Sequence, residues 1–117
     1  MSTEIIKEID KAIQAHLRWT ARLRTTIQHN ILTYEEVSNH KACAFGEWIV
    51  SKENEYVEDK NFQSVVRLHK EFHDIAGEIV NLTNVGMTKE ATLKLDGAYN
   101  RASSNLVLAM VKWREEC

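Results

Sequence analysis

Two histidines four residues apart, His69 and His73, are the pair in this sequence best spaced to act together. On an α-helix, residues i and i+4 lie one turn apart on the same face. Paired imidazoles at that spacing are a recurrent metal-binding arrangement. Phe72 sits beside them, and Val65, Val66, Ala76, Ile79 and Val80 continue an apolar stripe, so the rings are expected to face an interior. One histidine there would read as a core residue satisfied by hydrogen bonds. Two on one buried stripe read as a chelating pair. His16, midway along an N-terminal apolar stripe, could add a third ligand. His40 and Cys43, spaced i, i+3, could also reach one metal, which leaves His16 and His40 as rivals at this level.

The same residues exclude several chemistries. A zinc-protease helix needs H-E-x-x-H, whereas Lys70 follows His69, and Glu71 falls on the far side of the helix. Carboxylate-bridged di-iron bundles use Glu-x-x-His pairs, and no histidine here has Glu three residues before it. A haemerythrin-like di-iron site would need acids on the inner faces, which offer almost none. A Cys–His nucleophile pair lacks an oxyanion loop and an orienting group. What remains is one Cys with several His, which suits Zn²⁺ or a related thiophilic ion and not Mg²⁺ or Ca²⁺. Four protein ligands close a tetrahedral site with no open position for substrate. The expected role is structural or sensory, not enzymatic.

Helical period organises the chain around these residues. Ile5, Ile6, Ile9, Ala12, Ile13, His16, Leu17, Leu23 and Ile27 mark a first helix over about 3–30, with Lys7, Glu8, Lys11, Gln14, Arg18 and Arg22 on its wet face. Residues 31–39 read as a connection, in which Thr33 and Glu36 have the spacing of a capping box. A short helix over about 40–50 follows, carrying Cys43, Phe45 or Gly46, and Ile49 or Val50 inward. Gly46 costs about 1 kcal/mol against Ala in a helix interior and so points to a close neighbour. Residues 51–60 read as a charged surface loop. Asn61 would cap a third helix over 62–84, and Gly86 fits the position past its end. Thr88 would cap a fourth helix to about residue 114, with Ala91, Leu95, Ala98, Tyr99, Ala102, Leu106, Ala109, Met110 and Trp113 inward. The predicted fold is all-α, an antiparallel four-helix bundle of three long helices and one short Cys-bearing helix, forming a single domain over 1–117.

Composition agrees with that fold. The 117 residues include no proline and only four glycines, so long helices run unbroken. A net charge of −2 with interspersed signs leaves no footprint for nucleic acid. No apolar run approaches the roughly 18 residues of a membrane span. The acidic N-terminus lacks the apolar stretch of a secretory signal. Cys43 and Cys117 lack the spacing of a disulfide scaffold, so a cytoplasmic chain with reduced thiols is expected.

Cys43-Ala44-Phe45-Gly46-Glu47-Trp48 reads as C-x-F-G-x-W, and His69-Lys70-Glu71-Phe72-His73 reads as H-x-x-F-H. With a histidine inside the first long helix, the chain resembles the chemoreceptor zinc-binding domain of bacterial signalling proteins over nearly its whole length. The resemblance implies one zinc held by His16, Cys43, His69 and His73, which prefers His16 over His40 and leaves His29, His40 and Cys117 uninvolved. It also implies a sensory role in chemotaxis or cyclic-di-GMP signalling, with zinc level or oxidation of Cys43, for example by hypochlorous acid, as the signal. The alternative is a zinc-stapled structural dimerisation module. A homodimer is expected, with Trp19, Trp48 and Trp113 as candidates for its interface, Trp48 being the best suited of them to the core instead. Family members usually share a chain with a chemoreceptor signalling domain or a diguanylate cyclase. These 117 residues hold neither, which is their main departure from the pattern and is expected of either a free-standing protein or a piece of a longer one.

Overall fold

A computed structural model of the chain describes residues 3–29, 37 and 44–116. The described residues are helical apart from two tight turns. Helix α1 spans Thr3–His29, α2 Ala44–Tyr56, α3 Lys60–Asn84 and α4 Thr88–Lys94. A π-helical turn, Leu95–Tyr99, joins α4 without a break to α5, Asn100–Glu116. The body is elongated, 48 × 22 × 20 Å. The connection predicted over 31–39 with its capping box, and the candidate ligands His40 and Cys43, lie outside the described residues, Val37 excepted. So does Cys117.

The apolar stripes meet along the long axis. Ile5, Ile9, Ile13, Leu23 and Ile27 of α1 are buried against Val65, Phe72, Ala76, Ile79 and Val80 of α3 and Leu95, Tyr99, Leu106 and Met110 of the last helix. Fully burying one such aliphatic or aromatic side chain contributes about 1.5–3 kcal/mol. Leu17 and Val66, placed on the stripes by period, are instead on their exposed margins. One end of the body is filled by aromatics. Trp113 contacts Trp48, Tyr56 and Phe62 at ring separations of 5.4–5.5 Å. It is core, and not a face for a second copy. Trp48 also packs inward, as expected, and donates its indole N–H to Glu8 at 3.1 Å, which ties α2 to α1. Trp19 is half-buried beneath the Arg22 guanidinium.

Several boundaries differ from the sequence reading. Residues 51–56, expected in a charged loop, continue α2. Their charge is a solvated helix face: Lys52 and Glu55 are good helix formers, and Lys52 pairs with Glu8 at 3.5 Å. The cap of α3 is Asp59, not Asn61; its carboxylate accepts from the amides of Asn61 and Phe62 at 2.8 and 3.2 Å. An ionised carboxylate there also suits the positive end of the helix dipole. Thr88 opens α4 as a helical residue, and no side chain caps that end. Gly86 follows α3 with φ 83°, the left-handed conformation that favours glycine. The π turn in the last helix has no counterpart in the predicted elements.

Candidate metal centre

Three of the four predicted ligands are described, and each projects inward. His16 comes from the middle of α1, and His69 and His73 from consecutive turns of α3. Their relative exposures are 6%, 3% and 2%, so all three rings are withdrawn from water. Phe72 stands between them: its ring lies 4.3 Å from that of His16 and 5.3 Å from that of His73. The rings of His69 and His73 meet edge-on at 4.6 Å, and Phe45 of α2 covers His69 at 4.8 Å. The period-based expectation that both α3 imidazoles face the interior therefore holds. Glu71 is exposed and pairs outward with Arg67 at 3.7 Å.

Two of the rings have an identified anchor. His73 donates from Nδ1 to the Val37 carbonyl at 2.6 Å. A carbonyl can only accept, so Nδ1 carries the proton, and in the neutral ring the lone pair is on Nε2. His16 Nε2 lies 2.9 Å from Ser103 Oγ on α5. Burial, and then the charge of neighbouring His73, lowers the pKa of His16 from 6.5 to about 4. It is therefore neutral at pH 7, the state a metal ligand needs.

Helix α1 is joined again to the π turn and to α5 on either side of the His16–Ser103 bond. Thr20 and Tyr99 share a hydroxyl–hydroxyl bond of 3.1 Å, and Arg24 meets Asp96 at 3.2 Å. Arg114 pairs with Asp10 at 2.6 Å near the other end. Burial raises the Tyr99 phenol well above its ordinary value, so it stays protonated. Ser103, Tyr99 and the Val37 carbonyl were not foreseen as neighbours of the centre. The one signal was Ser103 itself, a hydroxyl on the shoulder of an inward stripe.

The donor chemistry fits a zinc ion: buried imidazoles, two of them held at one ring nitrogen by oxygen partners, as metal-binding histidines usually are. Among the described residues, no group of three His, Cys, Asp or Glu side chains is arranged to hold a metal ion. The fourth predicted ligand, Cys43, is outside them. His29, expected to take no part, is exposed at the end of α1. A groove of about 500 Å³ between α2 and α3, lined by Gly46, Ile49, Phe62 and Val66, reaches His69.

Compared with known proteins, residues 16–80 match the family model described as the chemoreceptor zinc-binding domain, just over half of the chain. The match starts at His16 and takes in Cys43, His69 and His73, but stops short of α4 and α5. No curated protein and no solved structure matches the chain.

Proposed function

The chain belongs to the chemoreceptor zinc-binding domain family, and from that premise we propose that it is a zinc-binding sensory domain of bacterial signal transduction. One Zn²⁺ is held by His16, Cys43, His69 and His73. The observation that carries this reading is the burial of three imidazoles around Phe72, with His73 held at Nδ1. Bound zinc would tie α1 and α3 to Cys43 and keep its sulfur as thiolate, the form that oxidants attack. Because Cys43 is the only anionic ligand, its reversible oxidation to sulfenic acid weakens the site most. The domain then responds to zinc level or to an oxidant such as hypochlorous acid, and passes the change to a signalling partner of the chemoreceptor or diguanylate cyclase type.

The arrangement is that of an antiparallel bundle forming a single domain. Supporting it, the paired positions rise along α1 as they fall along the last helix: Asp10 with Arg114, His16 with Ser103, Thr20 with Tyr99, Arg24 with Asp96. We take the module to be non-enzymatic, since four protein ligands leave zinc no substrate position. We also take it to be cytoplasmic and homodimeric. No described helix is long and apolar enough to cross a membrane. Of the tryptophans, half-buried Trp19 is left as the interface candidate.

The deciding experiment is metal content of the full chain purified without chelator. One zinc per chain is expected, with a melting temperature that falls on strong chelation, because the metal binds the folded form. A metal-free protein that does not take up Zn²⁺ would sink the reading.

A further inference from the structure

We propose that Ser103 is the positioning residue of the centre: its hydroxyl accepts the Nε2 proton of His16 and so presents Nδ1 as that ring's metal-binding nitrogen. The inference rests on the zinc-binding reading above and adds to it a residue outside the 16–80 match. Ser103 Oγ is 2.9 Å from His16 Nε2, and both side chains are buried. His73 is held the opposite way, with Nδ1 giving its proton to the Val37 carbonyl. The two rings are thus anchored through different nitrogens, one by backbone and the other by a side chain of α5. An oxygen accepting the second ring N–H fixes the tautomer and orientation of a ligating histidine, and its loss typically weakens metal binding 10–100-fold.

The π turn explains why Ser103 is in reach. An α-helix advances roughly 100° per residue, so three four-residue steps from Ala91 to Ser103 would drift roughly 120° around an unbroken helix. The wider turn at Leu95–Tyr99 takes up part of that drift. Ala91, Leu95, Tyr99 and Ser103 are all buried as a result. The Thr20–Tyr99 bond braces α1 against the π turn, one turn along. Through Ser103 the centre is joined directly to the C-terminal helix, where a change in His16 would be felt.

Nitrogen-15 NMR of the metal-free chain near neutral pH tests the assignment, with the His16 ring identified by its loss in His16→Gln. A single Nε2–H tautomer is expected in the wild-type chain. Ser103→Ala should mix the two tautomers and weaken Zn²⁺ binding about 10–100-fold in competition with a chromophoric chelator. Ser103→Thr, which keeps the hydroxyl, should restore both. An Nδ1–H tautomer in the wild-type chain overturns the proposal, and so does an unchanged tautomer or zinc affinity in Ser103→Ala. If the alanine variant does not fold, the wild-type tautomer and the threonine variant still decide. A wild-type chain that binds no Zn²⁺ would defeat the zinc reading instead, and the metal-free tautomer would still report on Ser103.

Discussion

His73 Nδ1 and the carbonyl oxygen of Val37 are 2.6 Å apart, across 36 positions of sequence. The bond holds the Nδ1 proton of a buried imidazole against the Val37 carbonyl. It sets Nε2 as the nitrogen a metal would take. His73→Ala removes both the ring and the anchor, and should lower zinc content sharply from one per chain. His40→Ala and His29→Ala should leave it intact. Elemental analysis of the three variants checks the ligand set, and loss of zinc in His40→Ala with retention in His16→Ala would overturn it.

The metal-free protein should lose stability in mild acid. Folding lowers the His16 pKa from 6.5 to about 4, chiefly through burial. Between those values the unfolded chain binds a proton that the folded chain does not, so stability falls as pH drops through the window. Below about 4 this contribution changes no further. The loss is on the order of 3 kcal/mol. Urea melts in the presence of chelator from about pH 7.5 to about pH 4.5 should show it. His16→Gln should flatten the slope, and an equal slope in the variant would count against His16 as its source.

Trp113 should be the costliest of the tryptophans to truncate. It is 1% exposed and touches Trp48, Tyr56 and Phe62. Trp113→Ala is expected to cost about 3–5 kcal/mol in a denaturant melt. Its indole N–H is buried without a hydrogen-bond partner among the described residues. Trp113→Phe removes that orphan donor along with some contact area, so it should cost much less than the alanine variant.

Two glycines should answer the same substitution differently. At Gly86 a Cβ meets nothing within 4 Å, but φ is +83°, so Gly86→Ala should destabilise by about 1 kcal/mol through backbone strain alone. At Gly97, inside the π turn, a Cβ meets only the end of Arg101 at 3.8 Å. Gly97→Ala should be neutral or stabilising by up to about 1 kcal/mol, since alanine restricts the unfolded chain. Paired thermal melts give the two signs.

Cys43 should react before the metal is lost, if it is the switch. In a Cys117→Ser background, stoichiometric oxidant should release zinc and leave a sulfenic adduct at Cys43, reversible by thiol. Retained zinc with unmodified Cys43 would leave only the structural staple. A colorimetric zinc assay with mass spectrometry of the trapped adduct reads both.

Much of this protein is determined locally, and so was legible in its sequence. Apolar residues at helical period specified α1, α3 and the last helix, because a stripe that repeats every three or four residues can be buried only as a helix face. The i, i+4 spacing of His69 and His73 put both rings on one face, and the surrounding valines, Phe72 and isoleucines turned that face inward. Other features depend on partners distant in the chain. Residues 51–56 looked like loop because they are polar, but Glu8 of α1 supplies Lys52 with a partner. The π turn was invisible because Ala98 and Tyr99 are both apolar, and either register satisfies the period. The anchors of His16 and His73 come from Ser103 and the Val37 carbonyl, 87 and 36 positions away. No spacing rule spans such separations. Only the packing of α1 against α5, and of α3 against the segment at Val37, decides which nitrogen of each ring carries the proton.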